Sequence, residues 1–94
     1  MIEVEIRGKF PLGRLFATQN AVDTLDPSDV LAGIQRHSRC DWGDLSEEDK
    51  RLNDESLLKA GRLLSAYSDA KGTKFWIITE ADRSATTVLL PDDY

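Results

Sequence analysis

Three side chains of this 94-residue sequence carry the chemistry that a metal-independent ribonuclease would need: His37, Arg83 and Thr86. His37 is the only histidine, and an imidazole can act as a general acid or base near neutral pH. Arg83 could stabilise the charge that develops on a phosphate under attack, and Ser84 or Thr86 could hold one of its oxygens. This set predicts a small ribonuclease-like toxin as one alternative function.

The same residues also have a structural interpretation. The helical spacing of Ile34 and His37 places the histidine on or beside the buried face of a helix. Asp82 and Ser84 can form a hairpin turn by bonding to its backbone, which leaves Arg83 to pair with an acidic neighbour at the surface. At the level of the sequence both interpretations stay open.

A second candidate site is the acidic stretch DWGDLSEED at residues 41–49. Residues 41–58 hold seven acids against Lys50 and Arg51, whereas the flanking segments are electrically balanced, so the net charge of −5 arises there. This concentration predicts a negative surface that binds the basic groove of a protein partner, with Trp42 as an aromatic anchor. The predicted contact residues, besides Trp42, are Asp41, Asp44, Glu47, Glu48 and Asp49.

A structural interpretation accounts for part of this stretch. Ser46 is a candidate helix N-cap, so residues 47–49 would occupy the first helical turn. There the helix macrodipole stabilises each carboxylate by about 0.3–1 kcal/mol without any partner. Asp41 and Asp44 precede the helix and are not explained in this way.

Metal and cofactor chemistry find no support in the sequence. The alternating acidic pattern of a calcium loop is absent, and one histidine with the single Cys40 cannot build a structural zinc site. We therefore expect no metal and no cofactor. A protein that grips a nucleic-acid backbone usually clusters lysine and arginine, the reverse of the bias seen here, so no direct nucleic-acid partner is expected.

These candidate residues need elements to position them. Residues 2–6 alternate apolar and charged side chains, which predicts a half-buried strand, and LFAT at 15–18 predicts a second short extended piece. Three helices follow, with predicted N-caps at Thr18, Asp26 and Ser46, and the second is expected to run to about His37.

In the third helix the expected buried residues are Leu52, Leu57 and Leu58, with Gly61 as terminator. The runs RLLSAYS, TKFWIITE and ATTVLLP then predict three strands in an antiparallel meander, joined by the turns DAKG and ADRS. Phe75 and Trp76 alternate on one strand, and Trp76 or Tyr67 becomes an exposed anchor if helices cover only one face of the sheet.

The predicted fold class is α+β. It consists of a small antiparallel sheet, built from the C-terminal three-stranded meander plus an N-terminal strand, with two to three helices packed on one face. We expect a single domain spanning residues 1–94. No apolar run approaches the roughly 18 residues that span a bilayer, and the start of the chain is unlike a secretory signal. These features favour a cytoplasmic protein without a membrane partner.

Two segments, DWGDLSEEDKRLN and GRLLSAY…KFWIITEADRSATTVLLPDDY, resemble a family of short bacterial proteins of unassigned activity. Members of that family are associated with plasmids, phages and integrated mobile elements. The resemblance covers about residues 12–94 and matches the first strand less well. It implies a small accessory gene on mobile DNA, a class that includes inhibitors of host defence and toxin-like effectors, and it supplies no catalytic residues.

The leading hypothesis is a small acidic non-enzymatic binding protein of mobile-element origin. It would inhibit a host defence nuclease or CRISPR-type complex through the acidic stretch. The first alternative is the ribonuclease-like toxin with His37, Arg83 and Thr86. The second is an accessory domain that self-associates through an exposed sheet edge to form a homo-oligomer.

Overall fold

A computed structural model describes residues 8–94, so the strand predicted at residues 2–6 lies outside the described part of the chain. The first elements in chain order are β1 (Arg14–Ala17), α1 (Gln19–Thr24), α2 (Pro27–Ser38) and α3 (Glu47–Lys59). They are followed by β2 (Leu63–Ser68), β3 (Lys74–Thr79), β4 (Ala85–Leu89) and a short 3-10 turn at Pro91–Asp93. The fold is α+β, as the sequence predicts.

The four strands form one mixed sheet in the order β1-β4-β3-β2. β2, β3 and β4 pair antiparallel, which confirms the predicted meander. β1 corresponds to the predicted extended piece LFAT, but it pairs parallel with β4, with Arg14 opposite Ala85. The prediction of an entirely antiparallel sheet is therefore wrong, because β1 and β4 are joined by a long crossover rather than by a hairpin.

All three predicted N-caps are present. The Thr18 side chain accepts a hydrogen bond from the backbone of Ala21, and the Asp26 carboxylate accepts one from that of Ser28. Ser46 does the same for the backbone N–H of Asp49. Each cap satisfies an N–H that the helix itself leaves without a partner, which explains why these starts were predictable from local sequence.

One face of the sheet packs against α1 and α2. Phe75, Ile77 and Val88 form the centre of this core, with Ile34 from α2 packed on them. Gly33 allows the close approach of α2, because a Cβ at that position would lie 2.9 Å from the Phe75 ring. This contact fixes the distance of α2 from the sheet and hence the depth at which the next turn of α2, with His37, is buried.

α3 differs from its predicted packing. Leu52 is 46% exposed and Leu58 is 87% exposed, so two of the three leucines expected to be buried lie at the surface. The buried residue of α3 is Asn53. The helix ends at Lys59, and Ala60 rather than Gly61 adopts the left-handed conformation that closes it, with φ 56°.

Asn53 is buried because it binds the outer edge of β2. Its amide nitrogen donates to the carbonyl oxygen of Leu64 at 2.6 Å, and its amide oxygen accepts from the Leu64 N–H at 3.1 Å. α3 thus lies along the edge of the sheet rather than on its face. The outward-facing backbone groups of Leu64, which would otherwise invite another strand, are satisfied within the chain.

The loop before α3 closes the next part of the same edge. Ala66 donates its N–H to the carbonyl of Trp42 at 3.1 Å and accepts from the N–H of Asp44 at 2.7 Å. Gly43 sits between them in a parallel bridge to Ala66, with φ 76°. A Cβ at Gly43 would collide with the carbonyl oxygen of Ala66, so glycine is required there.

Among the helices of residues 8–94, none combines the length and the apolar character needed to cross a membrane.

Candidate functional site

His37 lies at the centre of a buried hydrogen-bond chain. Its Nδ1 is 2.5 Å from the hydroxyl oxygen of Ser65 on β2, and its Nε2 is 2.8 Å from that of Thr79 on β3. Thr79 continues the chain to the hydroxyl of Thr86 on β4 at 2.7 Å, and Thr86 donates to the carbonyl of Leu12 at 2.6 Å. One helix is therefore tied to three strands through side chains.

The hydrogen bond from Thr86 to the Leu12 carbonyl determines which atom donates in each of the other bonds of this chain. Thr86 has one hydroxyl proton, which it donates to the Leu12 carbonyl, so it must accept from Thr79. Thr79 has then used its own proton and must accept from Nε2 of His37. The histidine therefore carries its proton on Nε2, and Nδ1 accepts from Ser65.

The surroundings of His37 keep it neutral. The rings of Phe10 and Trp42 contact it edge-on, at centroid distances of 5.4 and 5.7 Å. Burial, and to a smaller extent the positive charge of Arg83, lowers the pKa of His37 from 6.5 to about 4. The imidazole is thus an uncharged structural group at neutral pH.

Arg83 is held by backbone carbonyls and not by an acid. Its Nη1 donates to the carbonyl oxygens of Gly61 at 2.6 Å and Glu80 at 3.1 Å, and its Nη2 donates to that of Ser56 at 3.3 Å. These carbonyls belong to the end of α3 and to the turn before β4. The surface pairing of Arg83 with Glu80 or Asp82 that the sequence suggests is therefore not what the structure has, although Asp82 does form the predicted turn by accepting from the Ser84 N–H.

The structure brings the three ribonuclease candidates into one neighbourhood. His37 and Thr86 are linked through Thr79, and the Arg83 guanidinium lies 5.8 Å from the ring of Phe10, which also contacts His37. However, His37 and Thr86 are 0% exposed. Because a nucleic-acid phosphate cannot reach either side chain in this conformation, the arrangement acts as scaffold.

Ser65 and Thr79 are members of this network that the sequence interpretation missed. Both are polar residues on the core-facing side of otherwise apolar strands. The alternation of the strand pattern was the available signal, since a hydroxyl at an inward position needs a buried partner and the single histidine could supply it.

The burial of Trp42 differs from its predicted role as an aromatic anchor at the surface. It is 3% exposed and packs with Phe10 and Leu63, while its indole N–H donates to Asp54 at 3.0 Å. The prediction of Trp42 as an exposed anchor is wrong, because the parallel bridge at Gly43 pulls the loop onto the sheet edge and turns the preceding side chain inward.

The five carboxylates of residues 41–49 are all exposed, and we call them the acidic surface. Three are paired locally: Asp41 with Arg36 at 2.7 Å, Glu47 with Lys50 at 3.6 Å and Glu48 with Arg51 at 3.2 Å. The Arg36 side chain also lowers the pKa of Asp41. Within residues 8–94, Asp44 and Asp49 make no ion pair, so these two carry the least compensated charge of the surface.

In the described part of the chain, no group of three or more histidine, cysteine or acidic side chains is arranged to hold a metal ion. No protein-family model, no curated protein and no solved structure matches this chain.

Proposed function

We propose that this chain is a non-enzymatic binding protein whose acidic surface docks into a basic groove of a protein partner. The observation that carries the proposal is the exposure of all five carboxylates of residues 41–49 in the segment from which the net charge arises. Carboxylates on a loop that is hydrogen-bonded to the sheet edge and on the first turn of a helix can present a defined pattern of charge, which favours both fast association and selectivity.

A protein partner follows from the sign of the charge. A nucleic-acid backbone would be repelled by this surface, whereas a groove that itself binds phosphates would attract it. The resemblance to mobile-element proteins makes host defence nucleases, including CRISPR-type complexes, the first class to test. Such complexes hold their nucleic acids in positively charged channels.

Burial of the His37 network supports a binding role over catalysis. The side chains with suitable chemistry are closed off and already hydrogen-bonded to one another. Purified protein is therefore expected to leave RNA intact and, on expression, to cause no growth arrest that His37→Ala relieves.

The proposal is tested by quantitative affinity capture from a bacterial lysate with three baits. These are the wild type, the acidic double variant Asp44→Asn with Asp49→Asn, and a control double variant, Asp23→Asn with Asp92→Asn. Both doubles remove two exposed carboxylates, but only the first removes them from the acidic surface. We expect a protein captured by the wild type and the control, lost by the acidic double, and released by added salt.

A direct assay then uses a reconstituted RNA-guided nuclease of CRISPR type. We expect the wild type to inhibit DNA cleavage and the acidic double to need at least about tenfold more protein, since two desolvated charge contacts are lost. Equal behaviour of the two double variants in both assays would refute a role for the acidic surface.

One observation favours self-association as a second candidate. All four residues of β1 are exposed, and Leu15 and Phe16 are 49% and 46% exposed at this edge of the described sheet. An edge that carries apolar side chains and pairs with no other strand of residues 8–94 can pair with another copy. Sedimentation velocity at two concentrations should show a dimer that Leu15→Lys abolishes and Leu58→Lys, at an exposed helix position, does not.

A further inference from the structure

A cleft of about 370 Å³ lies between the acidic surface and the sheet face that α1 and α2 leave uncovered. Its lining includes Asp44, Asp49, Ala66, Lys74 and Trp76. The pairing register explains why these residues meet: Gly43 bridges Ala66, and Ala66 pairs with Trp76 on the next strand. The small side chain of Ala66 therefore separates an aromatic wall from the acidic loop and leaves room between them.

Trp76 provides the aromatic wall. Its neighbours in β3, Phe75 and Ile77, point into the core, so the indole lies on the opposite face and is only partly buried. The ring of Tyr94 meets it edge-on at a centroid distance of 5.7 Å, which supports one side of the indole. Of the two aromatic anchors that the sequence made conditional on an uncovered second face, Trp76 is partly exposed, whereas Tyr67 is buried and that part of the prediction is wrong.

The charges around the cleft are unbalanced. Asp44 and Asp49 line it and form no ion pair within residues 8–94, and neither does Lys74. Two carboxylates thus oppose a single ammonium group. An occupant that brings a positive charge gains attraction from both acids, and an aromatic face adds a favourable site for a cation.

We propose that this cleft receives an arginine side chain of the partner protein. The inference rests on the proposed function and specifies its central contact. A guanidinium is planar, so it can stack on the Trp76 indole and direct its N–H groups to Asp44 and Asp49 at the same time. An ammonium group lacks the flat surface and the forked donors, so lysine fits the cleft less well.

The cleft itself is tested with short probes and not with an unidentified partner. The peptides acetyl-Gly-Arg-Gly-amide and acetyl-Gly-Lys-Gly-amide are titrated into ¹⁵N-labelled protein, and two-dimensional NMR spectra are recorded. We expect the arginine peptide to shift the Trp76 indole N–H and the Asp44 and Asp49 amides along one saturable curve. The buried Trp42 indole serves as an internal reference that does not shift.

Four variants, one of them a control, test the predicted contacts through the affinity for the arginine peptide. Ala66→Leu fills the cleft without changing the charge and should weaken arginine-peptide binding by at least about threefold, as should Asp44→Asn. Lys74→Ala removes the competing positive charge and should strengthen binding by about twofold or more. Asp23→Asn, on a different helix, should leave it unchanged.

Failure of this inference is separable from failure of the proposed function. If the acidic double variant loses its captured partner while Ala66→Leu keeps it, the acidic surface binds but the cleft receives no arginine. If the lysine peptide binds as tightly as the arginine peptide, or the shifts spread over all acids without saturation, the arginine assignment is overturned. If neither the acidic double variant nor Ala66→Leu reduces capture of the partner, both the arginine assignment and the proposed function are refuted.

Discussion

His37 is a titratable side chain whose two ring nitrogens are both used inside the protein. Its Nε2–H donates to Thr79 and its Nδ1 accepts from Ser65, so no ring atom is left for a substrate or for water. A neutral imidazole satisfies this arrangement, whereas in an imidazolium Nδ1 would also carry a proton, which would face the proton that the Ser65 hydroxyl donates. Stability should therefore depend on the protonation of this residue.

The pH dependence has a definite sign. The folded pKa of His37 is about 4, below the ordinary 6.5 of the unfolded chain, so between these values the unfolded state binds the extra proton. The free energy of unfolding should fall by about 3 kcal/mol as the pH is lowered from 6.5 to 4. Urea denaturation at intermediate pH values measures it.

His37→Gln provides the control for this prediction. The variant lacks the titrating group, so its free energy of unfolding should change much less over the same range, whatever its absolute stability. A slope that persists in the variant would assign the effect to carboxylates instead.

Arg83 is a second single residue that supports the fold, because its guanidinium donates hydrogen bonds to several backbone carbonyls at once. Arg83→Ala leaves the carbonyls of Gly61 and Ser56 without their charged donor and should lower the free energy of unfolding by about 2 kcal/mol. Arg83 also has φ 61°, so Arg83→Gly should cost less than Arg83→Ala despite losing the same bonds. Thermal and chemical denaturation of the pair test this order.

At the scale of elements, the outer edge of β2 is closed by side chain and loop and not by another strand. Asn53 hydrogen-bonds to the outward-facing N–H and carbonyl of Leu64, and the loop at residues 42–44 hydrogen-bonds to those of Ala66. This closure prevents the edge from recruiting another chain, and it also sets the position of the acidic surface. The scaffold and the candidate binding surface are thus made by the same contacts.

Asn53→Ala should test this closure. The change leaves a backbone donor and a backbone acceptor without partners in a largely buried place, and the free energy of unfolding should fall by about 2–3 kcal/mol. Leu52→Ala, at the adjacent exposed position, should change it by less than about 0.5 kcal/mol. Equal effects of the two substitutions would contradict the role given to Asn53.

The helix starts and the antiparallel meander could be predicted because they depend on short-range chemistry. An N-cap at Asp26 and the turn at Asp82 need only residues within a few positions. Asn53 and Trp42 could not be placed in that way. Their burial depends on distant backbone groups at Leu64 and Ala66, which no local pattern identifies.

At the scale of the whole molecule, contacts between distant segments complete the fold. Thr86 reaches the Leu12 carbonyl, and Asp93 accepts hydrogen bonds from Thr18 and Asn20 at 2.6 Å each. These bonds lower the pKa of Asp93, so its carboxylate remains charged to a lower pH than usual. We call the bonds of Asp93 with Thr18 and Asn20 the clasp. Neither the clasp nor the parallel pairing of β1 with β4 can be predicted from apolar–polar alternation or from turn residues, because both join segments that are far apart in the sequence.

Asp93→Ala should release the clasp. We expect faster hydrogen exchange at the Leu90 amide, because its N–H donates to the Asp93 carboxylate. We also expect the NMR signal of the Trp76 indole to shift, because Tyr94 moves away from that ring. Asp92→Ala changes the exposed neighbour and should do neither. Unchanged exchange at Leu90 in the Asp93 variant would show that the turn is held by other contacts.

The pairing of β1 with β4 also has a consequence for the synthesis of the protein. Leu12 and Thr86 are 74 residues apart, so a ribosome that adds about 5–20 residues per second needs roughly 4 to 15 seconds to make the second after the first. During that interval Phe16 and the rest of β1 lack their partner strand β4. A nascent chain in this state exposes apolar surface, and co-expression with a ribosome-associated chaperone should raise the yield of soluble protein.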